Sequence, residues 1–189
     1  MKHLLGACLL LVLASGASAL PTHYYGEVSG SGSYQGNVDI NFGWGNPPFA
    51  LNGWAQDVNL WGIEAKAGDK MSFDVSSDDL FTGFSLYFGE VDLFDLLYGE
   101  FKNDADFGGV TYLTGSTLWD LTQSLAEFTF ADSGFYTLIV GGKDFGGYDG
   151  YEYQMDVAYA SVPEPAAFIL FGSGLLGLVA ARRRRQQQV

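Results

Sequence analysis

Between residues 20 and 161 apolar side chains recur at every second position rather than every third or fourth. The clearest run sets Tyr151, Tyr153, Met155, Val157 and Tyr159 on one face and Glu152, Gln154, Asp156 and Ala158 on the other. That alternation describes a strand with one buried face. Met71, Phe73 and Val75 alternate with Ser72 and Asp74, and Phe84, Leu86 and Phe88 alternate with Ser85 and Tyr87. Ala126-Phe128-Phe130 and Tyr136-Leu138-Val140 continue the series, with shorter candidates at 28–34, 38–42, 58–63 and 110–113. Clusters of Gly, Asn and Asp at 43–48, 67–69, 132–134 and 141–150 punctuate these runs as turns. Seven to nine short strands are therefore expected, giving an all-β fold, an antiparallel β-sandwich of jelly-roll-like layout. Phe73, Phe84, Phe128 and Tyr153 are expected in its core. Only 91–97 and 119–125 have any helical character.

The two ends break this pattern. Residues 1–19 join a positive charge at Lys2, an apolar run over 4–13 and the small residues Ala17-Ser18-Ala19. These are the three parts of a secretory signal peptide, here a signal helix, with signal peptidase cutting after Ala19. Leu5-Gly6-Ala7-Cys8 has the look of a lipoprotein box, but only Leu4 and Leu5 precede it as an apolar core. Cys8 is therefore read as a small apolar residue removed with the signal. At the other end Val162-Pro163-Glu164-Pro165 cannot continue a ladder or enter a helix interior, so it is an extended hinge. Residues 166–181 carry no charge, and Arg182, Arg183, Arg184 and Arg185 follow directly. Sixteen helical residues rise roughly 24 Å, short of a hydrocarbon core about 30 Å thick, so a transmembrane helix here needs local thinning or snorkelling arginines. The alternative is a buried core helix, which an all-round apolar segment between two prolines and four charges fits poorly. The arginines place the C-terminus in the cytoplasm and the β domain outside.

The order Val162-Pro163-Glu164-Pro165, glycine-rich apolar segment with Gly172-Ser173-Gly174-Leu175-Leu176-Gly177, and arginine cluster resembles the PEP-CTERM sorting signal of Gram-negative bacteria. The resemblance implies that exosortase, a membrane-embedded enzyme, recognises Pro163, Glu164 and Pro165 and cuts nearby. It implies a substrate of sorting and not a catalyst, in bacteria that make exopolysaccharide. From residue 57 onward the layout is also similar to bacterial pre-peptidase C-terminal domains. The matching pieces are Asp57-Val58-Asn59-Leu60-Trp61, Ala67-Gly68-Asp69-Lys70-Met71-Ser72-Phe73-Asp74-Val75 and Phe84-Ser85-Leu86-Tyr87-Phe88. Asp132-Ser133-Gly134-Phe135-Tyr136-Thr137-Leu138-Ile139-Val140 and Tyr151-Glu152-Tyr153-Gln154-Met155-Asp156-Val157 complete them. Asn59 departs from the D-x-D of that family, and the likeness implies an accessory, non-catalytic module. The organisation expected is a signal peptide (1–19), an extracytoplasmic sandwich (20–161) and a sorting tail (162–189) comprising motif (162–165), membrane helix (166–181) and basic end (182–189).

Charge narrows the partners. Between residues 20 and 161 only Lys66, Lys70, Lys102 and Lys143 stand against 21 Asp and Glu, a balance of −17. Such a surface repels phosphates, so nucleic acid is excluded as a partner. Past the signal the chain has no cysteine and one histidine, His23, near the new terminus where chains are often mobile. Neither a Ser-His-Asp relay nor a zinc site can be assembled from that inventory, and no enzyme is expected. Calcium is the cofactor to weigh: Asp104 and Asp106 precede Gly108-Gly109, and Asp144 and Asp149 bracket a glycine-rich stretch. The same residues also make ordinary turns. Trp44 and Tyr148, beside Gly-rich turns, are candidate sugar-stacking rings, or else plain packing. The function expected is a non-catalytic surface protein of the exopolysaccharide or biofilm matrix, anchored in the inner membrane until processed. A carbohydrate- or calcium-binding module at the cell surface is the alternative.

Overall fold

The structure, a computed structural model, describes residues 20–21, 23–38, 58–78, 81–92, 104–116, 123–143 and 151–163. Nine strands run in chain order: β1 (Gly26–Glu27), β2 (Gly32–Val38), β3 (Asn59–Ala65), β4 (Lys70–Ser76), β5 (Phe81–Phe88), β6 (Thr111–Gly115), β7 (Ser124–Thr129), β8 (Gly134–Lys143) and β9 (Tyr151–Ala160). They form a five-stranded sheet, β1-β3-β8-β5-β6, and a four-stranded sheet, β2-β9-β4-β7. All pairs are antiparallel except β1 with β3, which makes the first sheet mixed. Among the described residues there is no helix; the expected signal and tail helices lie outside them.

The sheets pack face to face, and their inner faces supply one hydrophobic core. Trp61, Ile63, Phe84, Leu86, Tyr136, Leu138 and Val140 come from the first sheet, meeting Val38, Met71, Phe73, Val75, Tyr153, Met155 and Val157 from the second. Of the expected core rings, Phe73, Phe84 and Tyr153 are buried and Phe128 is partly buried against them. In the four-stranded sheet β4 and β9 keep the alternation of a one-sided strand: β9 reads buried and exposed in turn from Tyr151 to Ala158.

The five-stranded sheet departs from that rule because its outer face is also covered. Leu60, Tyr87 and Ile139 on that face pack with Tyr24, Val58, Val91, Phe107 and Val110. Tyr87 and Ser85, set opposite the apolar face in sequence, are consequently fully buried. Polar groups on this face are paired: Tyr24 Oη lies 2.5 Å from Thr137 Oγ1, accepts from the Val91 N–H at 2.9 Å, and Thr137 Oγ1 donates to the Gly89 carbonyl at 2.7 Å. His23, expected near a mobile end, has Nε2 2.7 Å from the Val91 carbonyl. The helical expectation at 91–97 fails at its first two residues, which are irregular, and 93–97 lie outside the described residues. Likewise Ser124 and Leu125 begin β7, while 119–122 lie outside.

Two further strand expectations shift. The 28–34 stretch is split, because the chain leaves one sheet after β1 and enters the other at Gly32. On β7 the register slips: Phe128 pairs with Met71, but Leu125 pairs with Phe73. Between those pairs Ala126 and Glu127 oppose Ser72 alone, so a bulge sends Leu125 and not Ala126 toward the core.

One buried polar chain crosses the core. Trp61 Nε1 donates to Tyr153 Oη at 2.8 Å, and Tyr153 Oη donates to Asn59 Oδ1 at 2.9 Å. Burial pushes the Tyr153 hydroxyl pKa up, so it stays protonated as the link requires. The ring reaches this position because Gly36 has no side chain: a Cβ there would stand 2.3 Å from Tyr153 Cζ. Tyr153→Phe should therefore strand the Trp61 and Asn59 groups and lower unfolding stability by about 2 kcal/mol in urea melts. Gly36→Ala should cost at least as much, and most of that cost should vanish when Tyr153 is also replaced by Leu.

Candidate functional site

β9 delivers the chain from the body to its C-terminal tail, and a turn receives it there. β3 ends at Ala65, and the chain reverses through Lys66-Ala67-Gly68-Asp69 into β4. The Asp69 N–H donates to the Lys66 carbonyl at 2.9 Å. Gly68, at φ 89°, takes the left-handed conformation that closes the turn. Its N–H bonds the Phe130 carbonyl at 2.7 Å, while the Phe130 N–H returns to the Asp69 carbonyl at 2.9 Å. The Ala67 N–H donates to Ser133 Oγ. The turn is thereby tied to the loop before β8.

Asp69 is only 2 % exposed, and its carboxylate is met from three sides. Oδ2 accepts from the Lys66 N–H at 2.9 Å and from Tyr159 Oη at 2.6 Å; Oδ1 accepts from the Val162 N–H at 2.7 Å. Burial on its own would raise the Asp69 pKa. The bonds from Tyr159, Lys66 and Val162 outweigh it and hold the carboxyl below its ordinary value. Burial and the same contact push the Tyr159 hydroxyl up, so it remains the donor. A buried carboxylate thus clasps the residue immediately before Pro163. Ser161, Val162 and Pro163 are exposed, Val162 by 44 %.

The outer face of the four-stranded sheet is the other candidate surface. At one end a groove of about 440 Å³ is lined by Tyr25, Gln35, Asn37, Asp78, Glu152 and Gln154, among others. Tyr25 is half exposed, its ring held against Trp61 with centroids 5.3 Å apart. Further along the face, Asp74 and Asp156 sit opposite one another on β4 and β9. Asp156 accepts from the Ser33 hydroxyl and from Gln154 Nε2 at 3.0 and 3.1 Å, which keeps its carboxyl below the usual range.

Of the residues singled out from sequence, Val162 and Pro163 stand at the exit just described. Asp104 and Asp106 fall in a turn: Asp106 Oδ1 caps the Tyr112 N–H at 2.8 Å. Gly108 and Gly109 there have φ of 49° and 81°, the pair of positive angles that a two-residue reversal between Phe107 and Val110 needs. These residues act in the turn, and among the described residues no three His, Cys, Asp or Glu side chains gather as a metal site. Ala17, Ala19, Trp44, Asp144, Tyr148, Asp149, Glu164, Pro165 and Arg182 to Arg185 lie outside the described residues. Asp69 and Tyr25 were missed in the sequence. An Ala-Gly-Asp turn and a tyrosine near a terminus are common, and only the fold brings Tyr159, Val162 and Trp61 to them.

Residues 161–185 match the PEP-CTERM protein-sorting motif. The chain therefore carries a sorting tail, and the motif implies an exported surface protein made as a membrane-anchored precursor and processed by an exosortase. No curated protein matches the chain in sequence. Among solved structures it is similar to CorA, a surface-associated copper-binding protein of Methylomicrobium album BG8, at 16 % identity over 73 % of this chain and 100 % of that one, TM-score 0.47. It is also similar to PliG, a periplasmic lysozyme inhibitor of Aeromonas hydrophila, at 15 % identity over 70 % and 93 %, TM-score 0.40. A third is the pre-peptidase C-terminal domain of a Bacillus anthracis collagenase, at 12 % identity over 74 % and 99 %, TM-score 0.40. The fold assignment here rests on the strand pairing itself.

Asp69→Ala should lower unfolding stability at pH 7 by about 3 kcal/mol, because buried bonds to a charged acceptor are lost. The Asp69 pKa is depressed in the folded state, so its contribution is fully present above the unfolded value near 4 and is lost as pH falls through the folded one. Urea melts should therefore show a constant gap between wild type and variant from pH 7 to about pH 4, closing below it.

Proposed function

We propose that this protein is a non-catalytic component of the cell surface and its exopolysaccharide matrix, delivered there as an exosortase substrate. Signal peptidase cuts after Ala19, the sandwich folds outside, and residues 166–181 hold the precursor in the inner membrane with Arg182 to Arg185 inside. Exosortase then acts at Pro163-Glu164-Pro165 and releases the body outward. The observation carrying this reading is the match of residues 161–185 to the sorting motif, beginning where the sandwich ends. A surface role without catalysis is supported by the chemistry available. The region beyond the signal has no cysteine, and its single histidine, His23, packs by a backbone carbonyl rather than beside a nucleophile. The strongly acidic body suits a hydrated extracellular matrix and not a nucleic acid.

A second reading is favoured by the Tyr25 groove: the body binds a saccharide. An exposed ring held against Trp61 offers a flat apolar platform, and Gln35, Asn37 and Glu152 supply amide and carboxylate partners for hydroxyls. Trp44 and Tyr148, the stacking rings expected from sequence, lie outside the described residues, and this groove is a separate candidate.

In a host with an exosortase, a tagged chain should appear outside the cell as a shortened product, and deleting the exosortase should leave full-length protein in the inner membrane. Release that is equally efficient without the enzyme would overturn the sorting reading. For the saccharide reading, calorimetry of the full chain in detergent with maltohexaose and cellohexaose should give saturable heat, weakened at least tenfold by Tyr25→Ala. Absence of heat with both sugars removes that reading.

A further inference from the structure

The segment that the sorting enzyme must engage has few backbone donors. Pro163 and Pro165 have no N–H, and the Val162 N–H is already given to Asp69 at 2.7 Å. Glu164 alone brings a donor to the motif itself. Enzymes that take extended peptides pair with the peptide backbone, and the peptide must lie clear of its own globule to do so. Val162 meets neither requirement in this structure. Its donor is spent on a buried carboxylate, and its side chain lies against the turn, 3.0 Å from where a Cβ on Gly68 would stand.

We propose that the Asp69–Val162 contact is an autoinhibitory clamp, holding the N-terminal flank of the sorting motif against the sandwich so that exosortase cutting waits on its release. The proposal rests on the exosortase reading above. Release is local. Val162 is held by one hydrogen bond and is partly exposed, whereas β9 before it is paired on both sides by β2 and β4. Tyr159, on β9, fixes the other carboxylate oxygen, so the clasp forms only once β9 is seated. The clamp therefore favours cutting of chains whose exit has swung free over chains whose exit is docked.

The test is pulse-chase processing of full-length chains in an exosortase-producing host. Four are compared: wild type, Asp69→Ala, a chain with Gly-Ser-Gly-Ser inserted between Val162 and Pro163, and the combination. The spacer leaves the clasp closed but carries the motif clear of it, so the body keeps its wild-type melting temperature. The spacer chain should be cut at least threefold faster than wild type. Because the spacer already carries the motif clear of the clasp, opening the clasp as well by Asp69→Ala should give no further gain. A spacer chain cut no faster than wild type overturns the clamp, as does a combined chain that adds the whole effect of Asp69→Ala. In either case wild-type processing leaves the exosortase reading standing. No cut product from any chain overturns both.

Discussion

Strand β8 runs through the middle of the five-stranded sheet, and both of its faces are dry. Tyr136, Leu138 and Val140 enter the core between the sheets, while Thr137 and Ile139 meet the N-terminal segment and the loops around Val91 and Phe107. With no cysteine beyond Cys8, the body is held by packing of this kind rather than by covalent ties. Two-sided burial makes the sheet a rigid plate, and the four-stranded sheet is laid on it with its other face in water. The clasp at Asp69 and the Tyr25 groove both depend on that plate. One hangs from the turn leaving β3, the other on the ring of Trp61 within β3.

Much of this was legible from periodicity, and the exceptions have physical causes. β4 and β9 belong to the sheet with one wet face, so their alternation reads directly as burial. β5 does not, because its outer face is covered by residues distant in sequence; Tyr87 looks like a solvent-facing position until Phe107 and Tyr112 are brought over it. Ala126 misled for a different reason: one extra residue in β7 reverses which side chains face inward, and local spacing carries no mark of a bulge. The parallel pairing of β1 with β3 is likewise a property of chain routing.

The functional regions divided in the same way. The sorting tail was readable because its parts are contiguous and their order is itself the signal. Asp69 was not, since its role exists only through Tyr159 and Val162, some ninety positions away. Asp106 near Gly108 illustrates the reverse: a residue in a metal-like spacing whose carboxylate caps a backbone N–H beside a turn.

The place of β9 in its sheet has a consequence for how the protein is made. β2 and β4 do not touch each other in the ladder; each pairs with β9, the last strand among the described residues. A polypeptide threaded outward from its N-terminus must hold two strands apart, with open hydrogen-bonding edges, until the last ten residues of the body arrive. Those residues are followed within a few positions by the uncharged segment 166–181, to which the proposed function gives the role of membrane anchor. With that role, zippering of the sheet and arrest of the chain would fall at the same moment, and the open edges would be sealed before the protein could meet another copy of itself.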